Sequence, residues 1–285
     1  MKKVFYLIFC PVEHAVQKVS TRIAKLIANS KNKRIKNFLI NSFIQKFEVN
    51  MTEAINDDPF SYKSFNDFFT RALKNNARHI NLTSGNIISP VDGTISEAGT
   101  IIKSELIQAK NMKFKIEDLL CNKEIGKNYE NGKFITIYLA PTDYHRVHMP
   151  YSAQLQSMTY VPGNLYPVKP KKVKSVWGIY TLNERLICNF ISEIGTFSLV
   201  MVGAQLVSGI ETVWHGSIKE KKIRTWNFSD KQIVLNRGQE MGRFNFGSTV
   251  ILCFENTTKL KASASKNRKI LLGTAIAERK IMDNT

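Results

Sequence analysis

One stretch of this chain reads Arg243-Phe244-Asn245-Phe246-Gly247-Ser248-Thr249-Val250-Ile251-Leu252-Cys253-Phe254, and most of it is apolar, aromatic or β-branched. Such a composition is typical of a buried β-strand. Gly247 interrupts the pattern, and a glycine inside a strand often marks a bulge or an unusual backbone angle. The stretch therefore predicts one of two things: a plain bulge with a serine on the strand face, or a Ser248 hydroxyl placed against the carbonyl carbon of Gly247.

Two further stretches supply an acid and a base for that hydroxyl. They are Ser89-Pro90-Val91-Asp92-Gly93 and Tyr144-His145-Arg146-Val147-His148-Met149-Pro150. An aspartate, a histidine and a serine far apart in sequence are typical of a triad assembled by folding, in which the carboxylate fixes the imidazole tautomer and the imidazole takes the hydroxyl proton. The alternative is an ordinary turn aspartate with histidines that make structural hydrogen bonds.

These stretches, in this order, resemble the pyruvoyl-dependent phosphatidylserine decarboxylases of bacteria. The segments Val202-Gly203-Ala204 and Gly238–Phe244 add to the resemblance, which runs from about Phe47 to about Ala277. One departure is visible, because Phe246 stands where the family usually has leucine. Both side chains are apolar, so we expect the processing chemistry to survive this change.

The resemblance implies that the chain cuts itself between Gly247 and Ser248. Ser248 then becomes a covalent pyruvoyl group, the cofactor, which forms a Schiff base with the amine of phosphatidylserine and releases CO2 to give phosphatidylethanolamine. Asp92, His148 and Ser248 are the expected self-cleavage triad, and His145 is the candidate acid that protonates the product. Fragments 1–247 and 248–285 would stay associated, and a homodimer of that pair is a further expectation.

The charge of the chain is concentrated at its N-terminus. The net charge is +18, and residues 1–47 carry ten Lys or Arg against one acid, Glu13, a net of +9. Polyanions attract such a patch, whether they are nucleic acids or anionic lipids. We expect no nucleic acid, because no binding module or aromatic platform accompanies the charge. The four cysteines contain no CxxC pair, so we expect free thiols and no metal site.

Apolar residues with helical spacing lie among these basic residues, and no run of 18 uncharged apolar residues occurs. We predict two basic amphipathic helices that lie on the cytoplasmic face of the cell membrane as a peripheral attachment. Helices packed on the core with a solvated basic face are the alternative. The apolar positions are Val16, Val19, Ile23 and Leu26, then Ile35, Phe38, Leu39, Phe43 and Phe47.

From about Ile87 the sequence changes to short β-rich runs separated by Gly, Asn and Pro turns, which predicts packed antiparallel sheets. The expected fold is α+β, with a mainly antiparallel β core behind the basic N-terminal helices. We predict a membrane-associating helical segment over 1–80 and a catalytic domain over 81–285. Within them we expect a helix that Ser64 caps, a helical patch at Ile116–Leu120 and a closing strand at Ile270–Gly273.

Two other classes of function fit part of the sequence. The order Asp, His, Ser also suits a serine hydrolase, although no Gly-x-Ser-x-Gly elbow is present. A membrane-surface binding module would explain the basic segment but would leave the other stretches without a role. The resemblance implies that phosphatidylserine in the membrane is the partner.

Overall fold

The computed structural model describes residues 23–109, 112–204, 209–245 and 248–280. Its helices are α1 (Lys33–Phe47), α2 (Phe65–Phe69), α3 (Ile116–Leu120), α4 (Lys123–Lys127), α5 (Pro170–Val173) and α6 (Ile179–Leu182). Its strands are β1 (Asn86–Ile88), β2 (Gly93–Thr100), β3 (Glu105–Ala109), β4 (Met112–Lys115), β5 (Lys133–Leu139), β6 (Arg146–His148), β7 (Ala153–Val161), β8 (Arg185–Ser192), β9 (Gly195–Val202), β10 (Ile210–Thr212), β11 (Gly216–Ser217), β12 (Arg224–Asn227), β13 (Val234–Leu235), β14 (Glu240–Phe244), β15 (Ser248–Phe254), β16 (Thr258–Leu260), β17 (Lys269–Ile270) and β18 (Ala275–Arg279).

The core of the fold is a nine-stranded sheet of order β12-β7-β8-β9-β15-β5-β2-β17, with β13 also paired to β7. A four-stranded sheet of order β11-β10-β14-β6, a three-stranded sheet of order β1-β18-β16 and the hairpin β3-β4 complete it. The strand ladders of these sheets run antiparallel. The predicted α+β fold with a mainly antiparallel core is therefore confirmed.

Strand β15 lies in the middle of the large sheet, between β9 and β5, and all of its residues are buried. Alternate side chains enter two different cores: Val250 and Leu252 lie in one, and Ile251 and Cys253 lie in the other. A strand that is covered on both faces needs a continuous apolar run and not an alternating one. This explains the sequence that follows Ser248.

The chain passes from one sheet to another just before β15. Strand β14 ends at Phe244 in the four-stranded sheet, and β15 begins at Ser248 in the nine-stranded sheet. Phe246 and Gly247 lie outside the described residues, and so does the backbone angle expected at Gly247. The expected cleavage site is thus at a junction between two sheets.

The expected closing strand over Ile270–Gly273 is only partly correct. Strand β17 stops at Ile270, and the strand that closes the fold is β18, which pairs with both β1 and β16. The chain leaves the sheet because the peptide nitrogen of Leu272 donates to the Asp92 carboxylate and Gly273 takes a φ of 90°. An apolar run alone does not reveal such a backbone turn.

The second predicted basic helix is present as α1. Asn32 caps it by accepting hydrogen bonds from the peptide nitrogens of Arg34 and Ile35, and it ends at Glu48 in the left-handed region. Residues 23–28 are also helical, whereas Val16 and Val19 of the first predicted helix lie outside the described residues. No helix in the described ranges is both long enough and apolar enough to span a bilayer.

Helix α2 connects the N-terminal segment to the sheets. Ser64 Oγ accepts a hydrogen bond from the peptide nitrogen of Asp67, as the sequence predicts, and the aromatic side chains of α2 pack with Ile40 of α1 in a small core. The carbonyl at Thr70 accepts a hydrogen bond of 2.8 Å from Arg146 Nε on β6. The end of this helix therefore lies against the stretch 144–150, while the division into segments 1–80 and 81–285 stays a prediction.

Candidate active site

Ser248 is the first residue of β15 and is fully buried. It pairs with Leu139, the last residue of β5. Its Oγ has no hydrogen-bond partner among the described residues, and the same holds for Thr249 Oγ1 beside it. A buried polar atom without a partner costs roughly 1–3 kcal/mol, so native folds retain few of them, and each needs an explanation. A reactive role for the hydroxyl is one such explanation.

His145 lies directly across from the segment that leads to Ser248. The peptide nitrogen of Phe244 donates to its carbonyl at 3.1 Å. Its ring packs against Phe69 of α2, with 4.2 Å between the ring centres. Nδ1 lies 2.7 Å from the carbonyl oxygen of Asp143, and because a carbonyl only accepts, Nδ1 carries the proton. Nε2 is therefore a lone-pair nitrogen, buried and without a hydrogen-bond partner in the described part of the chain.

The charge state of His145 follows from its burial. The side chain is almost inaccessible, and burial lowers its pKa to about 3; the hydrogen bond to Asp143 opposes this shift, and the positive charge of Arg71 adds to it. At neutral pH the imidazole is uncharged and can accept a proton at Nε2. In this state His145 is a base, and it becomes an acid only after it has taken up a proton.

His148 has both ring nitrogens engaged. Nδ1 donates to the carbonyl of Gly238 at 2.7 Å, and the hydroxyl of Tyr144 lies 3.2 Å from Nε2. Burial raises the pKa of Tyr144, so this hydroxyl keeps its proton and donates it. Burial also lowers the pKa of His148, and the carboxylates of Glu240 and Asp92 oppose that shift. His148 is thus a neutral imidazole whose lone pair is held by a tyrosine.

Asp92 is buried and is bound mainly by an arginine. Arg78 donates to it from Nε at 3.0 and 3.1 Å and from Nη2 at 2.7 Å, and the peptide nitrogen of Leu272 adds a bond of 2.8 Å. Arg78 also binds Glu53 at 2.8 Å. Burial would lower the pKa of Arg78, but these hydrogen bonds raise it above its ordinary value. The Asp92 carboxylate therefore fastens the segment after β17 to the N-terminal segment.

Within the described residues no hydrogen bond joins the side chains of Asp92, His145, His148 and Ser248 to one another. Asp92 and His148 are related through the backbone, because the peptide nitrogen of His148 donates to the carbonyl of Pro90 at 2.8 Å. A cavity of about 170 Å³ reaches His148, Tyr144 and Arg78. The structure brings the expected residues into one region without closing the expected carboxylate–imidazole–hydroxyl chain.

Sequence reasoning missed two arginines in this region. Arg78 holds Asp92, and Arg71 follows helix α2 next to His145. Neither belongs to a motif, and the chain has 41 basic residues from which to choose. The only usable signal was indirect: a buried carboxylate needs a cation, and Arg71 follows directly on a strongly aromatic helix.

Comparison with known proteins decides the family. The sequence model of the family described as phosphatidylserine decarboxylase matches residues 65–278, which include all four expected site residues. A "phosphatidylserine decarboxylase proenzyme" of Legionella pneumophila (strain Lens) is 44% identical over 260 residues, 90% of each chain. The chain belongs to the phosphatidylserine decarboxylase family. A protein of the same name from Methylobacillus flagellatus is 42% identical over 274 residues, covering 94% of this chain and 97% of its own.

Membership of the phosphatidylserine decarboxylase family confirms the resemblance on which the sequence analysis rested. The family consists of pyruvoyl-dependent lyases that mature by cutting their own chain, so the predicted class of enzyme is confirmed as well. The roles of the individual site residues are not decided by these comparisons. They depend on the geometry of the site.

Proposed function

We propose that this chain decarboxylates phosphatidylserine to phosphatidylethanolamine with a pyruvoyl group made from its own Ser248. One observation carries the assignment to Ser248: its hydroxyl is fully buried and has no partner among the described residues. Ser248 is the first residue of the central strand β15 and directly follows Gly247 in the sequence. A serine that acted on an external ester would need access from solvent. A buried serine beside a glycine is better placed to act on its own chain.

The proposed self-cleavage begins when Ser248 Oγ attacks the carbonyl carbon of Gly247. The Oγ–C bond forms, the peptide C–N bond breaks, and the amine of residue 248 becomes free, so the peptide is converted to an ester. Loss of a proton from the α-carbon then expels the Gly247 carboxylate. The resulting dehydroalanine takes up one water and releases ammonia, which leaves a ketone at residue 248. These steps need a base and one water, and they release one ammonia.

His148 is the proposed base for Ser248, with Asp92 in support. The negative charge of Asp92 favours the protonated form of this imidazole, although the hydrogen bond to Gly238 and the charge of Glu240 do so more strongly. To act, Nε2 has to be released by the Tyr144 hydroxyl, 3.2 Å away. The free Nε2 of His145 is the competing base, since it is buried and has no partner to displace. Separate substitution of the two histidines distinguishes these roles.

The residues around position 248 fit a pyruvoyl group. Pairing with Leu139 of β5 holds the backbone at position 248, pairing with β9 begins at the next residue, Thr249, and the Ser248 side chain is shielded from water. When present, the ketone accepts the electron pair that remains after CO2 is lost. His145 Nε2 would take a proton from the substrate ammonium and return it to the α-carbon after CO2 has left. The unprotonated Nε2 of His145 suits the first half of that task.

The masses of the purified protein test this proposal. Intact mass spectrometry is expected to find two pieces, residues 1–247 and 248–285, and the smaller piece is expected to have a blocked N-terminus. A whole chain that retains Ser248 after purification under native conditions would contradict the proposal.

We also propose that the N-terminal segment attaches the enzyme to the cytoplasmic face of the membrane. The helical residues 23–28 and α1 expose a patch of large apolar side chains next to the exposed basic residues Lys31, Lys33 and Arg34. Leu26 is 74% exposed and Phe38 of α1 is 72% exposed, whereas Ile40, also in α1, is fully buried. Apolar side chains that face solvent beside basic ones suit an interface with anionic lipid. The patch consists of Ile23, Leu26, Ile27, Ile35 and Phe38.

Liposome flotation tests this attachment. We expect strong binding to anionic vesicles, weak binding to neutral ones and only partial release by salt, because salt screens charges but does not expel apolar side chains. The double substitution Leu26→Ser and Phe38→Ser should weaken the salt-resistant binding by about tenfold or more. Leu82→Ser is the matched control, since Leu82 is 70% exposed outside the patch. Equal binding of the wild-type protein to neutral and anionic vesicles would exclude the electrostatic part.

The assembly of the mature enzyme follows from the same proposal. The fragments 1–247 and 248–285 remain one folded unit, and phosphatidylserine in the membrane is the substrate partner. A homodimer of this unit stays a prediction.

A further inference from the structure

Arg71 is a buried arginine with an unusual lack of partners. Arg71 is only 7% exposed. Its side chain makes no hydrogen bond or ion pair within the described residues. Nε in particular is buried and unpaired. The contact that remains is with the ring of Phe68, which lies 5.4 Å from the guanidinium carbon. Arginines this well buried are almost always paired.

The nearby carboxylates do not neutralise Arg71. Glu53 and Asp92 are close enough to act on its charge, but Arg78 binds both of them. A guanidinium removed from water without a counter-ion is strongly unfavourable, and burial accordingly lowers the pKa of Arg71. A fold that retains such a group has a positive charge ready for an anion that arrives from outside.

The surroundings of Arg71 place that charge in the candidate active site. Phe69, two residues earlier, packs on the His145 ring, and the charge of Arg71 is one cause of the low His145 pKa. In the chain Arg71 directly follows Thr70 and stands two residues before Leu73. Thr70 lines a cavity of about 210 Å³ beside Asn245, and Leu73 lines the cavity that reaches His148. An anion bound to Arg71 would therefore lie next to the proposed proton donor.

We propose that Arg71 binds the phosphodiester of phosphatidylserine and thereby selects a phosphorylated serine over free serine. The inference rests on the proposed roles of Ser248 and His145. The substrate offers two anions, and the reaction distinguishes them. The carboxylate loses its charge as CO2 leaves, so an arginine bound to it would stabilise the ground state and slow the reaction. The phosphodiester keeps its charge throughout, and a guanidinium suits its paired oxygens.

Binding of the phosphodiester also has a consequence for His145. An anion beside Arg71 offsets the positive charge that disfavours protonation of the imidazole. His145 would therefore take up its proton more readily once substrate is bound. Arg71 is in this sense both a binding residue and a positioning residue for the proton transfer.

Substrate discrimination tests the inference with the mature enzyme. Arg71→Met should still cut itself, and the ratio of its kcat/KM for glycerophospho-L-serine to that for L-serine should fall about 100-fold. Arg71→Lys should restore part of the ratio. The matched control is Arg224→Met, because Arg224 also lies over an aromatic ring, 5.0 Å from Trp226, but at the surface. An equal loss for both substrates, or failure of a folded Arg71→Met chain to cut itself, would overturn the inference.

A second measurement needs no carbonyl group. In uncut Ser248→Ala protein, glycerophospho-L-serine should raise the melting temperature, and the added Arg71→Met change should abolish this rise while leaving the unliganded protein equally or more stable. No stabilisation of the Ser248→Ala parent, or a loss of more than about 5 °C in the unliganded double variant, would show that Arg71 is a structural residue. Failure of the proposed function looks different: the wild-type chain would stay whole and would decarboxylate neither substrate.

Discussion

Replacement of Ser248 by alanine is expected to leave one full-length, folded and inactive chain. Alanine lacks the oxygen that attacks the Gly247 carbonyl, so neither the ester nor the ketone can form. The substitution removes a buried hydroxyl that has no partner among the described residues, so the stability of the fold should be unchanged or slightly increased. The loss of cleavage is therefore expected to be complete, without unfolding.

A denaturing gel, an intact mass and a circular dichroism spectrum measure this outcome. The matched control is Thr136→Val, because Thr136 Oγ1 on the neighbouring strand β5 is also buried and without a partner in the described part of the chain. That variant should mature normally. Appearance of the short fragment in the Ser248→Ala protein would end the assignment of Ser248.

The second large effect is expected from His145→Ala, which should cut itself normally and yet lose turnover of phosphatidylserine by about 1,000-fold or more, since a positioned acid contributes 10²–10⁴-fold. His148→Ala and Asp92→Asn should instead give an uncut chain. The reason is the order of events: the base for Ser248 acts before the ketone exists, and the proton donor acts only after CO2 has gone.

Gel mobility and borohydride trapping of bound amine separate the two steps in one preparation. Gel mobility reports cutting, and trapping reports a working carbonyl. If His145→Ala stays whole while its circular dichroism spectrum is native, the free Nε2 of His145 is the base and the two roles have been exchanged. Wild-type turnover in that variant would remove His145 from the mechanism.

The dependence of the folding stability on pH tests whether His145 is a buried neutral imidazole. The folded-state pKa of His145 is about 3 and the unfolded value about 6.5, so stability is fully present above pH 6.5 and is lost as the pH falls toward 3. From pH 7.5 to 5 this amounts to about 2 kcal/mol. In the uncut Ser248→Ala background, addition of His145→Gln should remove that part of the acid-induced loss of stability, measured by urea unfolding at both pH values.

The sequence predicted the sheets well because their signals are local. The β-rich runs predicted after Ile87 include 134–139, 186–190, 197–202 and 250–254, which form most of β5, β8, β9 and β15 and are largely buried. The Ser64 cap and the helix at Ile116–Leu120 were predicted for the same reason. Each of these features is encoded within a few neighbouring residues.

For the site, the sequence supplied candidate residues only, and their membership and roles stay predictions. Motif order pointed to Asp92, His145, His148 and Ser248, but no motif shows that Arg78 binds Asp92 or that Tyr144 holds His148. Those pairings join residues that are distant in sequence, or depend on which ring nitrogen meets a carbonyl. The unpaired charge of Arg71 is equally invisible, because a missing partner can be recognised only once the surroundings are folded.

The central position of β15 gives self-cleavage a further meaning. After the cut, the middle strand of the large sheet would belong to a separate, shorter molecule, held between β5 and β9 of its larger companion. The precursor folds as a single chain, whereas the cut pieces would have to find each other. The larger piece alone would expose the edges of β5 and β9, and also those of β2 and β1 that pair with β17 and β18, and open edges invite wrong pairing. The mature enzyme is thus an assembly that is easy to make once, through its precursor, and difficult to rebuild from its parts.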